Sequence, residues 1–324
     1  MFTARILRVK LSRQKVSIVI PVFNEELVLP ELFTRLSAVI DKSVDEFESE
    51  LIFVDDGSTD SSANLIYGFS GSRSDAKIIS LSRNFGHQAA ILAGLNRASG
   101  DAVLIMDADL QDPPEIIPKF VAKWLDGADI VYGKRNVRNG ETFFKKASAS
   151  VFYRLISWLT DVGIPRDAGD FRIVDRKLVN ILISMDENSL YLRGIFAWMG
   201  FRQEPLLYDR DERFAGLTKY PLKKMVKLGW DAVLSFSEKP LALVTRLGAL
   251  ISFVAFSLSG FFIIQSILYN NWRAPGWLSI ILVVLSLSGV QMISIGFIGS
   301  YVIRIYRQSK NRPLFLINEK KSTI

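Results

Sequence analysis

Two carboxylates one residue apart, Asp107 and Asp109, are the most promising reactive groups in this sequence. They follow the apolar run Val103–Met106, which predicts a buried strand that two prolines then end. Because side chains alternate along a strand, both carboxylates are expected to point the same way. They would repel each other unless a hard divalent cation lay between them, with Gln111 as a further oxygen ligand. A solvated acidic turn is the simpler alternative.

The composition excludes several other kinds of site. The 324 residues include no cysteine and one histidine, so disulfides, thiolate chemistry and a multi-histidine metal site are excluded. A net charge of +7 favours an anionic partner, either a phosphate-rich ligand or an anionic membrane surface. Residues 1–15 form a basic arm without the apolar core of a signal peptide. The single histidine, His87, is expected to be a helix cap or a surface residue.

The chain that leads to the carboxylates alternates between predicted strands and helices. The predicted strands are Val16–Ile20, Glu50–Val54, Lys77–Leu81 and Asp101–Met106. The helix after the first strand has an apolar face that comprises Leu29, Leu32, Phe33, Leu36 and Ile40. This order predicts an α/β fold, with a mostly parallel sheet and helices on both faces.

Polar loops follow three of these strands, at residues 21–25, 55–60 and 107–111. Ligands of such sheets bind beyond the carboxyl ends of the strands. The loops therefore suit a nucleotide, with base and ribose on the first two and a diphosphate with its metal on the third. No glycine-rich phosphate-binding fingerprint follows a strand, which disfavours dinucleotide oxidoreductases and P-loop ATPases.

Four motifs occur together in the order and spacing of a known family. They are Pro21-Val-Phe-Asn-Glu25, Val54-Asp-Asp-Gly-Ser-Thr-Asp60, Arg83-Asn-Phe-Gly86 and Met106-Asp-Ala-Asp-Leu-Gln-Asp-Pro-Pro-Glu115. With them the chain resembles family 2 glycosyltransferases of the GT-A fold, in the branch of dolichyl-phosphate mannose synthase. It is most similar to the bacterial polyprenyl-phosphate glucosyltransferases. The resemblance covers roughly residues 14–220, and it implies a Rossmann-like, mostly parallel sheet for the catalytic domain at 16–220.

The resemblance also implies roles for individual residues. The metal, Mg²⁺ or Mn²⁺, would be held by Asp107, Asp109 and Gln111. The residues implied to bind the nucleotide sugar are Pro21, Phe23, Asn24, Glu25, Val54, Asp56, Asp107, Ala108, Asp109, Gln111, Arg135, Arg213 and Lys219. Of these, Asp109, Arg135, Arg213 and Lys219 are also implied to be catalytic. Lys134 departs from the family by replacing a usually small residue.

The residues predicted to bind the acceptor are assigned from the same resemblance. Lys146 and Ser150 would face the acceptor phosphate from a helix over 143–159, although an amphipathic surface helix explains that pattern equally. Asp170 matches the acceptor-side motif and is also counted as catalytic. A lipid phosphate, with a second pKa of about 6, needs no general base, whereas a hydroxyl acceptor does. Asp170 is therefore assigned to positioning, with base catalysis as the alternative. The Gln-x-x-Arg-Trp motif of processive synthases is absent, which favours transfer of one sugar.

The second half of the chain predicts attachment to a membrane. Residues 221–240 suit a basic amphipathic helix in the membrane interface, with packing against the catalytic domain as a close alternative. No charged residue occurs between Arg246 and Arg273 or between Arg273 and Arg304, and each gap exceeds the roughly 20 residues that span a bilayer. We predict a hairpin within 241–304, with helices at 245–269 and 277–303, and a basic cytoplasmic tail at 305–324.

The charges that flank this hairpin place the catalytic domain and both termini in the cytoplasm. Gly289, Gly296 and Gly299 would allow close helix packing and predict a homo-oligomer. The predicted function is metal-dependent, inverting transfer of one hexose, glucose from UDP-glucose, to undecaprenyl phosphate, with no nucleic acid as partner. Alternatives are a GDP-mannose-dependent mannosyltransferase, a glycosyltransferase with a hydroxyl acceptor, and a non-catalytic membrane scaffold.

Overall fold

The computed structural model describes residues 13–135, 168–185, 191–209, 239–269 and 277–323. The chain divides into two compact units. The sheet unit contains the described residues up to 209 together with 313–323, and the helical unit contains 239–269 and 277–312. The C-terminal residues therefore belong to the same unit as the polar loops.

The sheet unit is built on a seven-stranded sheet with the order β3-β2-β1-β4-β6-β5-β7. The strands are β1 (Lys15–Val22), β2 (Glu48–Asp55), β3 (Ala76–Ser80), β4 (Ala102–Ile105), β5 (Ile130–Arg135), β6 (Ala168–Asp175) and β7 (Gln203–Tyr208). Strands β1 to β4 pair in parallel, as the sequence predicts. Strand β6 runs antiparallel to both β4 and β5, and β7 is parallel to β5. The sheet is therefore mixed.

Helices cover both faces of this sheet. They are α1 (Leu29–Lys42), α2 (Ser62–Ser72), α3 (His87–Arg97), α4 (Ile117–Leu125), α5 (Arg176–Ser184) and α6 (Leu192–Trp198). Helix α1 buries the apolar face predicted from its periodicity, and this face joins the core that contains Ile18 and Ile20 of β1. Val19 points to the opposite face. There α3 approaches so closely that a Cβ on Gly94 would lie 2.3 Å from Val19 Cγ1.

The end of the chain covers β3, the edge strand of the sheet. We call residues 316–323 the C-terminal strap. Ile317 forms an antiparallel bridge with Leu81. Asn318 N donates to Ser80 O at 2.8 Å, and Thr323 N donates to Ile78 O at 3.0 Å. The strap therefore satisfies backbone groups that an edge strand would otherwise expose.

The helical unit consists of α7 (Lys239–Tyr269) and α8 (Trp277–Ser309). The two predicted membrane helices lie within these bounds. Among the described residues, one segment, Leu287–Ser309, is long and apolar enough to cross a membrane, with a mean hydropathy of 1.3. The predicted helix at 143–159 and nearly all of the predicted interfacial helix at 221–240 lie outside the described residues.

Candidate active site

The loops that follow β1 and β2 are joined into one structure at the carboxyl end of the sheet. Asn24, which has a positive φ of 54°, donates its N–H to Ser58 Oγ at 3.1 Å. Its side-chain oxygen accepts from Thr59 N at 2.8 Å, and Glu25 N donates to Ser62 Oγ at 2.9 Å. Residues from two of the predicted nucleotide loops are thus held together.

The remaining residues predicted to contact the nucleoside lie at the same place. Pro21 of β1 pairs with Val54 of β2, and both are buried. Phe23 follows directly and is partly exposed. The structure thus brings the predicted nucleoside residues together at the ends of two adjacent strands.

Asp56 fixes the loop that follows β3. Its carboxylate is 2% exposed and accepts hydrogen bonds from Phe85 N at 2.7 Å and Gly86 N at 2.9 Å. Burial raises its pKa. Gly57, with a φ of 69°, allows this contact, because a Cβ there would lie 2.5 Å from Arg83 C. Asp56 therefore has a positioning role that the motif did not suggest, and its contact with a nucleoside stays a prediction.

The carboxylate pair lies on a turn instead of on a strand end. Strand β4 ends at Ile105, and Leu110, which is buried, has a φ of 56°. The expectation that Asp107 and Asp109 continue the strand alternation is therefore wrong, because the chain leaves the sheet before Asp107. Asp109 Oδ1 instead accepts from Gln111 N at 3.2 Å within the turn. A positive φ at a buried leucine is strained, as is common at functional sites.

Asp107 is suited to a cation. Its Oδ1 is buried and accepts no hydrogen bond within the described part of the chain, although His87 Nε2 lies 3.3 Å away. Burial raises the pKa of Asp107 to about 6; His87 opposes this rise, and nearby Asp112, Asp170 and Asp109 add to it. A carboxylate surrounded by carboxylates needs positive charge to ionise.

These residues fit Mg²⁺ or Mn²⁺, which take oxygen ligands. No cluster of three or more His, Asp or Glu side chains able to hold a metal occurs in the described ranges. A cation beside Asp107 and Asp109 would therefore need further oxygen atoms from Gln111, water or phosphate.

Asp107, which follows β4, and Asp170 on β6 both lie close to His87. Strands β4 and β6 pair in an antiparallel ladder that extends to Ile105 and Arg172. His87 Nε2 lies 3.3 Å from Asp107 Oδ1 and 3.5 Å from Asp170 Oδ2. A donor-side and an acceptor-side carboxylate therefore meet at one histidine although they are far apart in sequence.

Asp170 is bound by several donors. Arg193 Nε and Nη2 donate to its two carboxylate oxygens at 2.8 and 2.9 Å. Gln88 Nε2 donates to Oδ2 at 3.3 Å. Burial alone would raise the pKa of Asp170, but the Arg193 guanidinium and His87 hold it well below its usual range. Neither Arg193 nor Gln88 belongs to a local sequence pattern that would assign it to the site.

His87 is part of this site, so its assignment as a helix cap or surface residue is wrong. Its Nε2 lies 3.3 Å from Asp107 Oδ1 and 3.5 Å from Asp170 Oδ2. Burial lowers its pKa, but the two carboxylates outweigh burial and raise the pKa to about 9. Its partners are Asp107, which follows β4, and Asp170 on β6, so a local pattern could not identify them.

Contacts from outside the loops brace the turn. Tyr208, at the end of β7, donates a hydrogen bond to Asp112 Oδ1. Arg35 of α1 donates to both oxygens of Glu115 at 2.8 and 2.7 Å. The segment that carries Asp107–Gln111 is thus held by the last strand and the first helix.

The structure does not describe several predicted residues. Arg135 ends β5, where it pairs with Tyr208 of β7, but its side chain lies outside the described part. Lys146, Ser150, Arg213 and Lys219 all lie outside the described residues. Their roles stay predictions.

Comparison with known proteins agrees with this geometry. The family described as "Glycosyl transferase family 2" matches residues 17–196, more than half of the chain and all the loops described above. The chain belongs to glycosyltransferase family 2. The resemblance inferred from the four motifs is therefore confirmed, and the protein is a glycosyltransferase.

Relatives of this glycosyltransferase match nearly its whole length. It is 46% identical to the uncharacterized glycosyltransferase YkcC of Bacillus subtilis (strain 168), over 94% of this chain and 93% of that one. It is 36% identical to the bactoprenol glucosyl transferase of Shigella phage SfV, over 95% of this chain and 99% of that one. Among solved structures it is similar to glucosyl-3-phosphoglycerate synthase from Mycobacterium tuberculosis in complex with Mg²⁺ and uridine-diphosphate. That match has 20% identity and a TM-score of 0.47, and it covers 68% of this chain and 77% of that one.

Proposed function

We propose that this glycosyltransferase moves one glucose from UDP-glucose to a polyprenyl phosphate, with inversion, at the cytoplasmic face of the membrane. The observation that carries the proposal is the contrast between two carboxylates that both lie close to His87. Within the described part of the chain, Asp107 Oδ1 accepts no hydrogen bond, as suits a cation ligand, whereas both oxygens of Asp170 accept hydrogen bonds. The Oδ1 oxygen of Asp107 suits the metal that accompanies a nucleotide diphosphate. The fully hydrogen-bonded carboxylate of Asp170 suits an acceptor that needs no general base.

On the donor side, Asp107, Asp109 and Gln111 would hold Mg²⁺ or Mn²⁺. When bound, the ion would supply positive charge to the diphosphate as it leaves. The loops at Asn24 and Asp56 would hold the nucleoside. Arg135, Arg213 and Lys219 keep their proposed roles at the diphosphate, and these rest on the family resemblance.

On the acceptor side, a phosphate oxygen of the lipid would attack the anomeric carbon. The bond between this carbon and the diphosphate oxygen breaks, and the nucleoside diphosphate leaves with the bonding electron pair. A phosphate monoester with a second pKa of about 6 is mostly ionised at neutral pH and has no proton to give up. The bactoprenol glucosyl transferase of phage SfV, similar over 95% of this chain, supports a polyprenyl acceptor and glucose. Lys146 and Ser150 would contact the acceptor phosphate.

The proposed membrane topology follows from chain connectivity. The described part of the sheet unit ends at Asp209 before that of the helical unit begins at Lys239, and the chain returns to the sheet unit at residues 313–323. The segment between them must therefore cross a bilayer an even number of times, and α7 and α8 would supply two crossings. By the positive-inside rule, the flanking Lys239, Arg246, Arg304 and Arg307 favour a cytoplasmic location for both ends.

Donor turnover by the purified, detergent-solubilised protein with Mg²⁺ tests the reaction. UDP-glucose, UDP-galactose and GDP-mannose are each offered with and without undecaprenyl phosphate. We expect release of UDP from UDP-glucose only when the lipid phosphate is present. Lipid-dependent release of GDP from GDP-mannose instead would refute glucose as the transferred sugar and assign mannose. Release that is equal with and without the lipid would refute the acceptor assignment.

Because the chain has no cysteine, single cysteines can test the topology. Asn271→Cys lies in the predicted connection between the helices, and Ser309→Cys lies at the end of α8. In sealed right-side-out vesicles we expect an impermeant maleimide to label Asn271→Cys and not Ser309→Cys. Labelling of both variants from the same side would refute the hairpin.

A further inference from the structure

Arg193 is the principal partner of Asp170. It lies in the second position of α6, and its guanidinium binds both carboxylate oxygens at 2.8 and 2.9 Å. Asp170 is 6% exposed. A planar, two-point contact of this kind fixes the orientation of a carboxylate as well as its charge. Arg193 can therefore determine where the oxygens of Asp170 point.

Two further side chains complete the arrangement around Oδ2 of Asp170. This oxygen accepts from Arg193 Nη2 and from Gln88 Nε2, and His87 Nε2 lies 3.5 Å from it. The other end of the Gln88 amide accepts from Leu192 N at 3.4 Å, at the start of α6. The start of α3, strand β6 and the start of α6 are thus linked through one carboxylate.

This arrangement lies between the two halves of the site. His87 also lies 3.3 Å from Oδ1 of Asp107, the carboxylate on the side of the sugar donor. The hydrogen-bonding groups around Asp170 therefore extend to the sugar-donor side of the site. Asp107 follows β4, which pairs directly with β6, the strand that carries Asp170. A shift of Arg193 would therefore move the acceptor side relative to the donor side.

The bonding of Asp170 bears on which molecule can attack the sugar. Water that attacks the anomeric carbon must lose a proton to a base, whereas an ionised lipid phosphate has none to lose. An Oδ2 already engaged by several donors has little capacity to accept a proton from water. Without Arg193, Asp170 would regain this capacity while it still lies beside His87, which also contacts the donor-side Asp107.

We propose that Arg193 is a positioning and specificity-determining residue, which holds Asp170 so that it orients the acceptor pocket but does not activate water. This inference rests on the proposed function. Arg193 acts through Asp170, and its effect is to favour transfer to the lipid phosphate over hydrolysis of the nucleotide sugar.

The test compares Arg193→Gln and Arg193→Lys with a matched control. Arg193→Gln removes the charge, and Arg193→Lys keeps the charge but loses the two-point geometry. The control is Arg73→Gln. Arg73 also binds both oxygens of an aspartate, Asp75, at 2.9 and 3.1 Å, at the start of β3 and so at the opposite end of the strands from the site. Each variant is measured in full-length, detergent-solubilised protein.

Four quantities are measured: KM for undecaprenyl phosphate, KM for UDP-glucose, kcat, and the ratio of free glucose to lipid-linked glucose. For Arg193→Gln we expect kcat/KM for the lipid to fall about 100-fold, because misplaced groups near a reacting centre cost about this factor. The KM for UDP-glucose should stay within about twofold, and the hydrolysis ratio should rise about tenfold. Arg193→Lys should give intermediate values, and Arg73→Gln should match the wild type in all four.

Two results would overturn the inference separately from the proposed function. If wild type transfers glucose but Arg193→Gln and Arg73→Gln alter the lipid KM and the hydrolysis ratio equally, Arg193 is only structural. If wild type does not use the lipid phosphate, the proposed function fails and the inference fails with it. Thermal unfolding of each variant identifies misfolded protein. If Arg193→Gln does not fold, Arg193→Lys decides: an unchanged hydrolysis ratio in that variant refutes the inference.

Discussion

The hydroxyl of Tyr208 donates a hydrogen bond to Asp112, and this contact joins the last strand of the sheet to the acidic turn. Asp112 is 1% exposed and follows Gln111 directly. The turn that carries the proposed metal ligands is therefore held by a residue nearly 100 positions away in sequence. The geometry of the turn depends on the complete sheet, because β7 must be paired with β5 before Tyr208 can reach Asp112.

Tyr208→Phe should lower both stability and activity. The change removes a hydrogen bond to a buried carboxylate, which is worth about 1.5–3 kcal/mol. We expect a lower free energy of unfolding in urea and a lower kcat for transfer. Tyr306→Phe, on an exposed part of α8, is the matched control and should change neither quantity. An unchanged kcat in Tyr208→Phe would show that the turn keeps its shape without this contact.

Asp109→Ala should abolish transfer without unfolding the protein. Loss of a group that neutralises charge at the leaving diphosphate is expected to lower kcat about 10²–10³-fold. The affinity for Mg²⁺ or Mn²⁺, measured by titration calorimetry in the presence of UDP, should fall as well. Asp126→Ala, at the exposed end of α4, serves as the control. Wild-type metal affinity in Asp109→Ala would remove this residue from the metal site.

Removal of residues 313–324 should destabilise the sheet unit, because it uncovers edge strand β3. Backbone bonds from Ser82 to Leu316 and from Asn318 to Ser80, at 2.9 and 2.8 Å, would be lost. We expect the unfolding temperature to fall by about 5 °C. Light scattering should show more association, since an uncovered edge can pair with another chain.

The control for this truncation is Glu319→Gln. It removes only the salt bridge to Arg97, whose side chain is 39% exposed. Exposed pairs of this kind contribute about 0–1 kcal/mol. A similar fall in the unfolding temperature of the truncated protein and of Glu319→Gln would mean that the ion pair, and not the backbone pairing, holds the C-terminal strap.

Glu50 should make the stability of the sheet unit dependent on pH. Burial favours its neutral form, but Lys77, Ser17 and Ser99 donate to the carboxylate and lower its pKa to about 2. Because the folded-state pKa is below the unfolded value, the stabilisation is fully present above about pH 4.5 and is lost as the pH falls toward 2. A shift of this size corresponds to at most about 3 kcal/mol.

Urea unfolding between pH 2 and pH 7 checks this prediction. Glu50→Gln should unfold more easily than wild type at pH 7, and the difference should vanish near pH 2. Glu48→Gln changes an exposed glutamate on the same strand and should follow the wild type at every pH. If the free energy of unfolding of Glu50→Gln changes with pH in parallel with that of the wild type, Glu50 is not the source of the pH dependence.

Local pattern was sufficient for much of the first half of the chain. The apolar face of α1 and the strands β1 to β4 were predicted because their periodicity reflects burial of one face or of a whole strand. Strand β4 was predicted to run to Met106 but ends at Ile105, so the assumption that Asp107 and Asp109 continue its alternation was wrong. The end of this strand depends on the geometry of the turn that follows. Strand ends are where local pattern carries least information.

Long-range contacts could not be predicted from local pattern. His87 was assigned to a surface or a helix cap because its own neighbourhood is that of a helix start. Its partners are Asp107, which follows β4, and Asp170 on β6, and no local signal specifies the antiparallel pairing of these two strands. The same holds for Arg193, because an arginine in a short helix gives no sign of which carboxylate it will meet.

The sequence by itself determined the family, the reaction class and the loops that gather at the end of the sheet. These follow from motifs and periodicity, which are properties of neighbouring residues. The tertiary structure decided which groups meet: His87 with Asp107 and Asp170, Arg193 with Asp170, Tyr208 with Asp112 and the C-terminal strap with β3. The physical reason is that such pairings depend on strand order and register, which are set by packing of the whole core.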